Sequence, residues 1–182
     1  FALLTVSDRG KGKDGNALFA RNLARGEREF NPVIRDITND SFRVVDNVGE
    51  SLLVETNRNA PNGRVVLVDP KHSEAANWKA VLPERPEPLQ SVSTAGGKLF
   101  ATYLKDVTSR ASVYSLDGTL ENEIELPGPG NAGRFGGNRG ETFGVSSVHS
   151  ATVPPTTHPT AIRAQRRKGI LQRGATGYHT HA

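Results

Sequence analysis

A chain of 182 residues with 35% hydrophobic content, 19 glycines and 11 prolines has room for one domain of short elements and many turns. It contains no cysteine, which excludes disulfides and thiolate metal centres, and no apolar run near the ~20 residues that a membrane-spanning helix needs. The net charge of +4 is uneven: residues 1–141 hold 18 basic against 19 acidic groups, whereas residues 142–182 carry Arg163, Arg166, Arg167, Lys168 and Arg173 with no acid. The chain also has no Met and begins inside the apolar run FALLTV, so it is expected to be a piece of something longer. It shows no signal-peptide pattern.

Phe1–Val6 predicts a strand, followed by the polar, glycine-rich loop SDRGKGKDGN and a second strand over Ala17–Leu23. ARGERE reads as a turn or the entry to a short outer strand. Phe30–Ile34 reads as an extended run whose Pro32 fits a sheet edge or strand start. Phe42–Val48 opens the next unit, with Asn47–Glu50 as its turn. Leu52–Val54 and Val65–Val68 then flank the loop TNRNAPNGR, residues 56–64, whose Asn, Pro and Gly favour turn geometry and give a long-looped hairpin. After the polar excursion Pro70–Asn77, Trp78–Leu82 predicts an outer strand, ended by PERPEP, whose prolines cannot sit in a paired ladder. Leu89–Thr94, the turn Ala95–Gly97, Leu99–Leu104, the loop KDVTSR and Ala111–Leu116 form a third unit. Asp117–Gly118 turn the chain into Leu120–Leu126, where apolar and acidic residues alternate as on a half-exposed strand. A fourth unit is expected from Gly133–Phe135, with GGNRGE as turn and Phe143–Val148 as strand.

Leu3, Leu52, Leu99 and Phe143 occupy similar places in these units, at spacings of 49, 47 and 44 residues. A period in the forties with about four short strands per repeat is the pattern of propeller blades. The predicted fold is therefore all-β: a β-propeller fragment of about three to four blades, each of four antiparallel strands. It would occupy residues 1–155, with residues 156–182 as a basic, histidine-containing tail. A β-sandwich of short strands is the plainer alternative. A blade is apolar on both faces, so an arc of blades leaves open faces and unpaired edges. Further chain beside it, or association of copies, is expected.

The clusters that carry chemistry elsewhere are weak here. His179 and His181 have no Cys or carboxylate nearby, whereas zinc needs three or four supported ligands. The basic run Ala161–Gly169 has no interleaved aromatic platform and reads as a solvated tail; a nucleic-acid binder would be the other reading. The segment Gly10–Gly15 resembles a phosphate loop in composition alone, and Asp36, Asp40 and Asp46 lack calcium-loop spacing. No metal site, cofactor, membrane or nucleic-acid partner is predicted.

Three stretches, VETNRNAPNGRVVLVD, NWKAVLPE and GGKLFATYLKDVTSRASVYSLDGTLENEIELPG, taken in this order and spacing, resemble the propeller of the prolyl oligopeptidase family. ETFGVSSVHSATVPP is a further echo, although the aromatics of the family are largely missing there; the likeness runs from about Phe1 to Pro155. It implies a seven-bladed propeller capping an α/β-hydrolase domain in a serine peptidase that cleaves short peptides on the C-terminal side of proline. The implied partners are short proline-containing peptides and the hydrolase domain of the same parent chain, in a cytoplasmic or periplasmic setting. The Ser-His-Asp triad would lie outside this chain, which has no Gly-x-Ser-x-Gly elbow, so no catalytic residue is assigned and the chain alone should be inactive. By the resemblance, the 56–64 loop, with Thr56, Asn57, Arg58 and Asn62, matches a gating loop, and Thr102 falls where the propeller lines the substrate pocket. Read without the resemblance, these are a solvated hairpin loop and a strand threonine. The alternative function is a non-catalytic propeller that binds other proteins.

Overall fold

The computed structural model describes residues 1–124 apart from 9, 11 and 107, together with the backbone of three strands, Asn131–Ala132, Phe143–His149 and Thr156–Ala161. Among the described residues there is no α-helix, only two single 3-10 turns, Leu23–Arg25 and Ala75–Asn77. The strands form four antiparallel meanders. The first is β1 (Ala2–Val6), β2 (Ala17–Arg21) and β3 (Asn31–Ile34), and the second β4 (Phe42–Val48), β5 (Ser51–Thr56), β6 (Arg64–Val68) and β7 (Lys79–Leu82). The third is β8 (Leu89–Ala95), β9 (Lys98–Lys105), β10 (Thr108–Ser115) and β11 (Leu120–Ile124), and the fourth β12 (Asn131–Ala132), β13 (Phe143–His149) and β14 (Thr156–Ala161). The chain divides into two compact units, Phe1–Leu89 and Gln90–Ala182.

In the first unit the β5–β6 ladder sets the packing. Leu52 pairs with Val68 and Val54 with Val66, which puts these four side chains on one face; Leu53 pairs with Leu67, and Val65 lies on that opposite face. All but Leu67 are at most 1% exposed, so the ladder is apolar and buried on both sides. The Leu52 face joins Phe42 in one core cluster with Leu18, Ala20, Val33 and Ile34 of the first sheet, and the two sheets therefore stack face to face. Truncating a fully buried Leu to Ala costs about 2–5 kcal/mol, against about 0–1 for an exposed ion pair such as Arg25–Glu50. The apolar seam, not surface charge, holds the sheets together.

Bulges shape several of the outer strands. The β2–β3, β6–β7 and β10–β11 ladders each pass over one residue, Val33, Val81 and Glu121 respectively. The extra residue bends the strand, and in the first two cases it lets consecutive side chains, Val33–Ile34 and Val81–Leu82, both be buried. Pro32 sits in β3, an edge strand, where its missing N–H leaves no gap in a central ladder. At the other edge of this sheet β1 is poorly covered: Leu3, Leu4 and Val6 are 43%, 44% and 40% exposed.

In the second unit β9 and β10 form a long hairpin. Phe100, Ala111 and Val113 face one side with Ala95 and the half-buried Ile124, while Leu99, Ala101 and Tyr114 are buried on the other. Gly96 and Gly97, at φ 56° and 73°, supply the two positive angles that a tight connection from β8 to β9 requires.

Several elements decide between or differ from their sequence-based expectations. ARGERE, read as a turn or a strand entry, forms the turn: Asn22 Oδ1 accepts the Arg25 N–H at the start of a 3-10 turn and Gly26 takes φ 71° to end it. KDVTSR is not a long loop: Lys105 pairs with Thr108, and Asp106 adopts φ 48°, so two residues suffice to reverse the chain. Leu120–Ile124 is mostly solvent-facing, with Leu120 49% exposed, instead of alternating. The turn over Gly133–Phe135 and GGNRGE, the end of Leu120–Leu126, and the tail from residue 162 lie outside the described residues; the backbone of 156–161 pairs with β13.

Candidate functional site

The 57–63 loop leaves β5 at Thr56 and re-enters β6 at Arg64, two residues that face each other across the ladder. Thr56 is 1% exposed, and its hydroxyl accepts the Arg58 N–H at 3.1 Å, starting the turn. Asn59 takes φ 50° and Gly63 φ 85°, left-handed conformations that Asn and Gly tolerate. Ala60 is fully buried, its N–H donating to the Asn57 carbonyl and its carbonyl accepting from the Gly63 N–H. The loop thus has an inner core of its own.

Its polar side chains reach outward to neighbouring segments. Asn57 Oδ1 accepts the Ser41 N–H at 2.7 Å. The Arg58 guanidinium lies 5.8 Å from the Trp78 ring centroid, with Asp40 Oδ2 3.7 Å from its Nε. Trp78 is itself held edge-on to Phe42, and its indole N–H donates to the Ser73 carbonyl. Asn62 donates from Nδ2 to the carbonyls of Arg85 (2.9 Å) and Pro86 (3.2 Å), while its backbone N–H donates to Glu84 and its carbonyl accepts from the Leu89 N–H. A hollow of about 460 Å³ opens beside Arg58 and Trp78, lined also by Pro32, Ile34, Arg35 and Thr38. Trp78, the sole tryptophan, and Asp40 join the loop here, although the sequence marks the first only as a strand start and the second only as an acid without calcium-loop spacing. Their spacing from Arg58 carries no local signal, since the tertiary fold brings them to it.

The structure therefore gathers Thr56, Asn57, Arg58 and Asn62 into one braced loop of the first unit, whereas Thr102 belongs to the second. Thr102 lies on β9 opposite Ala111, on the same face as Phe100 and Val113, and is fully buried. Its hydroxyl has no hydrogen-bond partner among the described residues.

Other polar groups serve turns. Asp69 accepts from the Lys71 N–H and the His72 ring; that hydrogen bond with His72 is the main cause holding its carboxyl below its ordinary pKa. Asp117, bonded first by the Ser115 hydroxyl and then by the Thr119 N–H, is lowered likewise. Among the described residues no three His or carboxylate groups are placed to share a metal ion. His179, His181 and the basic run beyond Ala161 lie outside the described residues.

Meanders of short antiparallel strands, apolar on both faces and stacked through a seam, define part of a β-propeller. Residues 4–170 match the family described as the prolyl oligopeptidase N-terminal β-propeller domain, and the chain belongs to that family. Over 143 residues, 79% of its length, it is 37% identical to a prolyl endopeptidase of Elizabethkingia miricola and 36% identical to one of Elizabethkingia meningoseptica. It spans about a fifth (20%) of the length of these curated relatives. Among solved structures, one from a structural and mechanistic analysis of two prolyl endopeptidases superposes with a TM-score of 0.75 at 27% identity, covering 87% of this chain and 24% of that one. Apo prolyl oligopeptidase B from Galerina marginata shares the fold, with a TM-score of 0.76 at 20% identity, over 89% of this chain and 23% of that one.

Two outcomes follow from the site geometry. Replacing Thr102 by Val removes an unsatisfied buried hydroxyl while keeping the shape, so denaturant unfolding should show a gain of about 1 kcal/mol; a loss would mean that the hydroxyl is satisfied. Asp117 is lowered by folding, so its ionised form stabilises the fold fully above its ordinary value of 3.8 and that contribution is lost as pH falls through the folded pKa. A carboxyl NMR titration should give a midpoint below 3.8, and one at or above it contradicts the Ser115–Asp117–Thr119 arrangement.

Proposed function

We propose that the chain is the propeller portion of a serine-type prolyl endopeptidase that hydrolyses short peptides on the C-terminal side of proline. The observation that carries this reading is the 37% identity with a prolyl endopeptidase, sustained over 143 residues of propeller. The catalytic serine, histidine and aspartate then belong to an α/β-hydrolase domain of the same parent chain, outside these residues, and need no cofactor. The propeller's part in that reading is to admit small peptides and hold back folded proteins. Thr56, Asn57, Arg58 and Asn62 form the rim that gates entry. Their bonds to 40–41 and 84–89 support a rim that moves with its neighbours instead of a loop that melts alone. Thr102 is assigned to the lining on the resemblance alone, and its burial means that substrate reaches it only where the covering chain moves aside.

Cleavage assays with a short proline-containing peptide and with a folded protein test this on the full-length protein and on residues 1–182 alone. The full-length protein should cut the peptide after proline and spare the folded protein, while the 182-residue chain cuts neither. A full-length protein that leaves the peptide intact would overturn the peptidase reading and leave a protein-binding propeller.

A further inference from the structure

The loops of the first unit are tied to the connectors between strands by a repeated device. The loop between β1 and β2 ends in Gly15-Asn16, and Asn16 is 7% exposed. Its side chain brackets Phe42, the first residue of β4: Nδ2 donates to the Phe42 carbonyl at 3.0 Å and Oδ1 accepts the Phe42 N–H at 2.8 Å. The backbone joins in, with the Gly15 N–H donating to Thr38 and the Asn16 N–H to Asp40. A Cβ on Gly15 would fall 2.1 Å from the Asp40 carbonyl oxygen, so only glycine lets the two segments lie this close.

The loop between β5 and β6 repeats the arrangement. It ends in Asn62-Gly63, and Asn62 grips the 84–86 segment through its side chain and Leu89, the first residue of β8, through its carbonyl. Gly63 again makes the close approach, where a Cβ would lie 3.1 Å from that of Leu89. This second loop has a further attachment at its other end: Asn57 and Arg58 hold Ser41 and Asp40 of the connector that Asn16 also grips.

We propose that the 57–63 loop is a staple between two connectors, 38–42 and 84–89, with Asn62 pinning one end and Asn57 the other, and that displacement at one connector is transmitted through it to the other. The hydrogen bonds form two groups, Asn16 to Asp40 and Ser41 to Asn57 at one end and Asn62 to Arg85 and Leu89 at the other, and the Ala60 bonds to Asn57 and Gly63 join them through the loop. The buried Ala60 and its two backbone bonds stiffen the piece between the pins, which is what lets a pull at one end reach the other. This proposal stands on the geometry of the first unit and does not depend on the peptidase reading.

Hydrogen exchange on the intact protein, followed in peptides covering Ser41, Gly63 and Leu89, tests it. Asn62→Ala removes the two side-chain bonds to Arg85 and Pro86 and should speed exchange about ten-fold at Gly63 and Leu89, with a measurable rise at Ser41 as well. Glu84→Ala, at an exposed site whose carboxylate accepts the Asn62 N–H, should give the same pattern more weakly and serves if the first variant does not fold. Asn59→Gly, at a left-handed position that glycine adopts freely, should leave Ser41 and Leu89 unchanged. Faster exchange at Gly63 and Leu89 with Ser41 unmoved would mean two independent clamps and would overturn the staple, as would no change at any of the three.

Discussion

A sheet that is apolar on both faces cannot stand alone in water, and everything else in this fold answers to that. In β5 and β6, Leu52, Val54, Val66 and Val68 occupy one face while Leu53 and Val65 occupy the other, and all six are at most 1% exposed. At roughly 25 cal/mol for each Å² of apolar surface removed from water, covering such residues outweighs any of the surface ion pairs. The first sheet supplies cover through Leu18, Ala20, Val33 and Ile34. Where cover is lacking, as along β1, Leu3, Leu4 and Val6 remain substantially exposed, and that edge is the weak point for self-association.

Polar residues then fix what the apolar seam leaves undetermined. Dispersion and hydrophobic burial are non-directional, so they bring sheets together without specifying the path of the connectors between them. Asn16, Asn57 and Asn62 provide that direction through carboxamides that bond backbone: Asn16 both donates to and accepts from Phe42, Asn57 accepts from Ser41, and Asn62 donates to Arg85. Glycine at 15 and 63 allows the approach close enough for those bonds.

The repeat was legible because its signals are local. Short β-branched runs such as VVLV, turn residues at Gly49 and Gly96–Gly97, and the forties period together give strand positions close to those observed over β1–β10. What escaped were properties that depend on distant partners. Nothing near Asn62 announces that residues 84–89 will lie against it, and nothing near Asn16 announces Phe42, 26 residues on. The two-residue reversal at Asp106 also escaped, because KDVTSR has the polarity of a loop while Thr108 and Ser109 pair as strand. Of the site residues, the grouping of Thr56 to Asn62 in one loop followed from sequence adjacency. The complete burial of Thr102 did not, because a threonine on a strand faces core or solvent according to a register that one sequence leaves open.

The face-to-face seam between the first two sheets is the claim on which the rest stands, and methyl-to-methyl distances test it most directly. In a methyl-labelled NOESY spectrum, the methyls of Leu18, Val33 and Ile34 should show cross-peaks to those of Leu52, Val54, Val66 or Val68. Cross-peaks confined within each sheet, with none between the two sets, would contradict the stacked-blade account.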